Sequence, residues 1–262
     1  MDALIAYSGR GIARPSYYAN AHERDEVEIV PTPMPVLDAR AAGTTIDREG
    51  FQLVAHRSAV TDFADREQVT AIHMGEIAEL VRGATGADHV HVGSPGLLRF
   101  SEKSGRAGTL NNSMPARFAH IDISDATAAK FAGHGANGKR FARCAHYNVW
   151  RAISAPPQDV PLALCDARSI APQDLIPADA VFDEAGKSEW SFEGLVVAHN
   201  PRHQWHFFPG LTRDEAIVFK THDTDPSRAH HVPHVAFDLP GCPADAAPRV
   251  SIEMRATAWW WA

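Results

Sequence analysis

The stretch "FAHIDISDA", Phe118–Ala126, decides how the whole chain is read. Polar and apolar residues alternate in it, the period of a strand with one buried face. On a strand, residues i and i+2 point to the same side. His120 and Asp122 can therefore both reach one ion, with Ile121 turned away. An imidazole nitrogen and a carboxylate oxygen suit a borderline divalent metal such as iron(II), and a second histidine would complete a facial triad with coordination positions left open. Taken alone, a His-x-Asp tripeptide also fits a solvated strand edge or a buried hydrogen-bonded pair.

The surroundings favour a β fold. From about Arg117 onward, short β-type runs are separated by Pro, Gly and Asp: "RFAHIDIS", "FARCAHYNVWRAIS", "PLALCDARSI", "SFEGLVVAHN", "HQWHFFPG", "DEAIVFKTHD" and "RVSIEMRATAWWW". Seven such runs with turn signals between them predict a sandwich, barrel or jelly roll. Only one helical stretch, "DATAAKFAGHG", interrupts them, too few helices for a parallel sheet. Upstream, "GFQLVAHRSAV" reads as a strand, and Asp65–Gly86 is the best helix, with Val69, Ile72, Ile77, Leu80 and Val81 at helical spacing. "DHVHVGS" alternates as a strand does. No repeat or linker is evident, so residues 1–262 are read as a single domain. Its N-terminal third is mixed α/β support and its jelly-roll core spans about 88–262.

Composition excludes several classes of function. The 262 residues are 45% hydrophobic and 22% charged, ordinary for a globular chain long enough to bury a large core. A net charge of -7 without a Lys/Arg run argues against a nucleic-acid partner. The three cysteines, Cys144, Cys165 and Cys242, form neither a disulfide framework nor a zinc knuckle. No apolar run approaches a membrane span, and "MDALIAYSGRG" lacks a signal-peptide pattern, so a cytoplasmic setting is expected.

The C-terminal region extends the His120–Asp122 pair. It carries an acidic turn, an apolar strand, a histidine-rich loop and a Pro-rich loop, then Arg249 at the head of the last strand. Arg presents a fixed fork of donors that can meet a buried carboxylate with two parallel charge-assisted bonds. Together the segments "GFQLVAHRSAVTDFAD", "EIAELVRGATGADHVHV", "PARFAHIDIS", "YNVWRAI", "PLALCDARSI", "FFPGLTRDEAIVFKTHD" and "HVAFDLPGCPADAAPRVSIEMRA" resemble, in order, a hydroxylase/desaturase family. That family contains fungal gibberellin-desaturase-like and bacterial cephem-methoxylation-associated proteins, and it is more distantly similar to phytanoyl-CoA dioxygenase. The resemblance covers most of Gly50–Ala256. It implies a double-stranded β-helix and an oxygenase that uses Fe(II), 2-oxoglutarate and O2. It also implies that His120, Asp122 and His234 are the metal ligands and that Arg249 anchors 2-oxoglutarate. The family pattern has an aspartate-histidine pair before an arginine in the strand after the long helix. Here "VGSPGLLRF" keeps only Arg99, which implies a different substrate.

Other residues compete for the site. His231 and then His230 rank behind His234 as third ligand, and His203 is a further alternative. Asn148 and Arg151 are candidate cosubstrate contacts, although three positions on a strand put them on opposite faces; the plainer role for Arg151 is an ion pair with Asp166. Lys220 could add a second charge for the cosubstrate, or be a surface lysine at a strand end. His206, Phe207 and Phe208 read as core and pocket wall. Trp259–Trp261 would cover the barrel or form a homodimer interface. The expected partner is a small-molecule, secondary-metabolite-like substrate. The competing functions are a cupin-like metalloenzyme independent of 2-oxoglutarate, which would not need Arg249, and a non-catalytic small-molecule binding protein.

Overall fold

The computed structural model describes residues 1–262. In chain order the strands begin with β1 (Asp2–Ser8), β2 (Ser16–Tyr18) and β3 (Ile29–Asp38). A short helix, α1 (Ala39–Ala42), precedes β4 (Phe51–Ala55). The expected long helix follows as α2 (Arg66–Gln68), a π turn at Val69–His73, and α3 (Met74–Thr85). The Asp65 carboxylate caps its start by accepting from the Glu67 and Gln68 amides, and Gly86 ends it in the left-handed region at φ 68°. Next come β5 (His89–Val92), β6 (Leu97–Phe100), β7 (His120–Ile121) and α4 (Asp125–Phe131). The chain then continues through β8 (Phe141–Ala152), β9 (Leu162–Cys165), β10 (Leu175–Phe182) and β11 (Trp190–Val197). It finishes with β12 (Trp205–Phe207), β13 (Glu215–Asp223), β14 (His234–Ala236) and β15 (Val250–Trp261).

These strands form two sheets. One has nine strands in the order β1-β3-β12-β9-β14-β7-β11-β10-β2. The other runs β4-β13-β8-β15-β5, with β6 also pairing β15. The crossed order and largely antiparallel pairing are those of the expected double-stranded β-helix. All seven segments read as strands after Arg117 are strands. The outer face of the smaller sheet packs Val149, Val218, Ile252 and Met254 against Ile77 and Val81 of α3. Between the sheets, Phe51, Trp150, Leu162, Leu164 and Phe219 share a second cluster. Tyr7, Trp205, Val235 and Phe237 fill a third, on the larger sheet.

Strands β1, β2, β3, β6, β10 and β14 were not foreseeable from pattern. In β3, Pro31, Pro33 and Pro35 interrupt the signal, since proline gives the ladder no donor. β3 tolerates them because that stretch pairs only with β1, while β12 joins it further along, at Val36–Asp38. β14 has three residues, too few to show a period. At the C-terminus, Trp259 is buried and its indole N–H donates to the Ala132 carbonyl at 2.8 Å. Trp260 and Trp261 lie under the cations of Arg143 and Lys139. The tryptophan run thus seals the end of the smaller sheet against the turn after α4. No helix is long and apolar enough to cross a membrane, and all three cysteines are free.

Candidate active site

β7 is the hinge of the site. Although only two residues long, it lies between β14 and β11, and His120 sits directly opposite His234 in the antiparallel register. Directly opposed residues share a face, and the two rings stand 4.2 Å apart. Asp122, one residue beyond the strand, turns back towards them. Its Oδ1 lies 3.4 Å from His120 Nε2 and 3.6 Å from His234 Nε2. The three potential ligand atoms are all within 4.8 Å of one another, and all three residues are buried. His120 Nδ1 is 2.9 Å from the Phe118 carbonyl oxygen, and His234 Nδ1 is 3.2 Å from that of Val232. A carbonyl only accepts, so each Nδ1 carries the proton and each Nε2 presents a free lone pair to the centre. Burial, followed by the neighbouring His234, pushes His120 below the ordinary histidine value and keeps it neutral, the form that binds metal.

The facing sheet holds the carboxylate. Asn148 and Arg255 are cross-strand partners on β8 and β15. Asn148 Nδ2 donates to Asp122 Oδ2 at 2.8 Å, and Arg255 Nη2 lies 3.1 Å from the same oxygen. Oδ1 is thereby left to the histidines. Burial by itself would raise the Asp122 carboxyl, but Arg255, His120 and His234 outweigh it and hold it well below the usual carboxylate range. Asn148→Ala is expected to weaken iron binding or turnover about 10- to 100-fold, as losing an outer-shell partner does at other metal sites. Iron titration of the purified variant, with Asn148→Asp as a second replacement, checks this.

Arg249 stands behind the histidines. It is fully buried, and its Nη1 donates to Ser251 Oγ at 2.7 Å. Its Nε and Nη2 have no partner. Burial, followed by Arg99, lowers the guanidinium to about 9. A buried cation with unused donors calls for an anion. The cleft it faces is also lined by His120, His234, Trp150 and Leu162, which puts any anion held there beside the two imidazoles. The cleft is narrow, about 20 Å³, and seating a five-carbon diacid requires these side chains to part. It shares Arg99, Pro115, Ala116 and His120 with a larger cavity of about 320 Å³. That cavity is mainly apolar, walled by Tyr17, Val27, Met114, Phe118, Phe182 and Phe192, with His120, Asp122, Arg99 and Arg255 at its polar end. The donor set, the open side and the unpaired cation fit an iron with 2-oxoglutarate.

Several other candidates lie elsewhere, for reasons of strand alternation. Arg151 points to the opposite face from Asn148 and reaches the His56 and Arg213 carbonyls, away from the centre. Its suggested partner Asp166 pairs with Arg168 instead, at 2.6 Å. Lys220 is neither a cosubstrate contact nor a surface lysine. Its neighbour Phe219 packs on His234 at 4.7 Å, so Lys220 must point away. It is buried, with Nζ 2.7 Å from Asp223 Oδ2 and 3.0 Å from Asp47 Oδ1. Arg143 also pairs with Asp223, whose own exposure is zero. Asp223→Ala is therefore expected to destabilise the fold by about 3–5 kcal/mol, by leaving buried cations uncompensated. Urea unfolding measures it.

His203 bonds Asp174 and the Tyr7 hydroxyl, both at 3.1 Å, and does not replace His234. His206 packs against Phe51 in the core, where Phe207 and Phe208 are also buried; none of the three lines the apolar cavity. His230 and His231 turn towards Asp125 instead of Asp122. The contact the sequence reading missed is that of Arg255 with Asp122. Its signal was parity: Arg249 just before β15, and Ser251, Glu253 and Arg255 on it, fall at alternate positions, so all four belong to one face of the strand and its lead-in.

Comparisons with known proteins give the family and the fold. A family model described as an oxidoreductase/YMDC permease-like domain matches residues 8–259. The alpha-ketoglutarate-dependent dioxygenase phiK of a fungal species is 32% identical over 233 residues, covering 84% of this chain and 80% of phiK. The hydroxylase/desaturase CTB9 of Cercospora beticola is 31% identical over 237 residues, covering 82% and 72%. Among solved structures, the iron and alpha-ketoglutarate-dependent endoperoxidase NvfI superimposes with a TM-score of 0.84 at 23% identity, over 100% of this chain and 98% of that one, which establishes the shared fold.

Proposed function

Because the chain belongs to the family of these iron(II)- and 2-oxoglutarate-dependent hydroxylases and desaturases, it is a dioxygenase of that class, and we propose that it hydroxylates or desaturates an apolar small molecule of secondary metabolism. Iron(II) and 2-oxoglutarate are its metal and cosubstrate. In this reading His120, Asp122 and His234 hold the iron, and Arg249 takes the distal carboxylate of 2-oxoglutarate. Residues 1–262 act as one oxygenase domain. The observation that carries the proposal is the convergence of two Nε2 atoms and one carboxylate oxygen at the polar end of an apolar cavity, with Arg249 unpaired behind them.

When bound, iron and 2-oxoglutarate supply the oxidation of a C–H bond by dioxygen, with succinate and carbon dioxide released. The chain's own residues do the rest. The Phe118 and Val232 carbonyls hold both imidazoles in the tautomer that offers Nε2. Asn148 and Arg255 hold the Asp122 carboxylate in one orientation and keep it ionised. The aromatic and aliphatic walls keep water from the reacting carbon and give a substrate its orientation. Arg99 and Arg255 offer charge to a carbonyl or acidic group at the inner end of the substrate.

Purified protein given iron(II), ascorbate, oxygen and 2-oxoglutarate should release succinate slowly, and faster with a true substrate. The product of a panel of apolar metabolites should gain one oxygen atom or lose two hydrogens. Iron-loaded protein that forms no succinate with any compound of the panel would count against the proposal.

A further inference from the structure

A second group of imidazoles gathers round Asp125, outside the His120–Asp122–His234 triad and independent of the substrate reading. Asp125 opens α4 behind the Ser124 cap, three residues after Asp122. His230 and His231 sit in the loop just before His234, and His222 lies on β13. All three approach one oxygen. Asp125 Oδ1 is 2.9 Å from His230 Nε2, 3.1 Å from His231 Nε2 and 3.6 Å from His222 Nε2. The potential ligand atoms of Asp125, His230 and His231 lie within 4.8 Å of one another, as those of the first site do. Ligands bound to one tetrahedral ion at about 2.0–2.2 Å stand roughly 3.4 Å apart, close to the spacing seen.

Hydrogen bonding alone does not account for the group. His231 is buried, and its Nε2 has no hydrogen-bond partner although it stands 3.1 Å from the carboxylate. The rings of His230 and His231 are 4.2 Å apart, and those of His222 and His230 4.7 Å. We propose that Asp125, His230 and His231 form a second metal site that takes a zinc-like divalent cation, with His222 beside it, 3.6 Å from the same carboxylate oxygen but outside the close group. Two imidazoles and one carboxylate leave a fourth position, which His222 fills by moving closer, and that closure makes the site structural, in contrast to the open triad. Such an ion would tie the loop before His234 to the start of α4, just after Asp122. Two of the three triad residues would thereby be fixed by a clamp that touches neither.

Cobalt(II) titration of the chelator-stripped protein tests this, because tetrahedral cobalt absorbs far more strongly in the visible than an open, water-bearing site. Wild type should bind two equivalents, one giving the intense band. Asp122→Ala should keep the band. His231→Ala and Asp125→Asn should lose it and weaken zinc binding by on the order of 100-fold or more, while retaining the other equivalent and a native circular dichroism spectrum. His230→Ala, at a more exposed residue, gives the same reading if His231→Ala misfolds. One equivalent in wild type, lost in Asp122→Ala and unchanged in His230→Ala and Asp125→Asn, would overturn the proposal.

Discussion

Asp122→Ala should abolish succinate formation, with 2-oxoglutarate turnover falling to the background of free iron. The expectation rests on charge as well as on ligand count. Asp122 is the one anion among the three buried groups of the triad, and it alone compensates a divalent cation there. Two neutral imidazoles hold iron(II) weakly, and removing the carboxylate also leaves Arg255 facing the centre without its 3.1 Å partner. Iron and Arg255 would then repel. The variant should lose iron on gel filtration while keeping a native circular dichroism spectrum, because Asp122 lies just past the end of β7 and its side-chain partners are the polar groups of the site, Asn148, Arg255, His120 and His234. Succinate formed at the wild-type rate would reject the assigned triad. Asp122→Glu should recover little, since one added methylene displaces the oxygen from the point both Nε2 atoms face.

Arg249→Ala should raise the 2-oxoglutarate requirement on the order of 100-fold to several thousand-fold and leave iron affinity within a few-fold of wild type. Removing one partner of a buried charge pair costs about 3–5 kcal/mol, and each 1.4 kcal/mol is tenfold in affinity. The guanidinium is buried, has two unpartnered nitrogens, and lines the same cleft as His120 and His234. Arg249→Lys should restore part of the loss, because a point charge replaces the fork without its second bond. Half-saturating 2-oxoglutarate measured at fixed iron separates the two effects. An unchanged requirement would move the anchor to Arg255, which with Arg99 lies at the polar end of the apolar cavity. It would also revive a metalloenzyme that needs no 2-oxoglutarate.

Much of this protein is written locally in its sequence. The alternation of "FAHIDIS" put His120 and Asp122 on one face before any partner strand was known, because side-chain direction along a strand depends only on position parity. The same rule warned that Arg151 could not share a face with Asn148. The helix at 65–86 announced itself through its period and its Asp65 and Gly86 caps. Composition marked a chain with enough apolar residues for a large core, and the run of short strands marked a sandwich, barrel or jelly roll, which the family resemblance narrowed to a double-stranded β-helix.

Tertiary structure decided what depends on distant pairing. The single stretch "HHVPH" offered three histidines for the third position, with His203 upstream as another, and only the register that sets His234 opposite His120 separates it from His230 and His231. Lys220 read as a surface residue because the sequence could not show that Asp223 and Asp47 would gather round its ammonium group. Asn148 and Arg255 became the partners of Asp122 only when the second sheet closed over the first. Residues on one strand fix their own directions, but which strands face each other is set by packing of the whole chain. The triad's histidine–aspartate half is therefore a local property of the sequence, while its third member and the groups that hold its charge are properties of the fold.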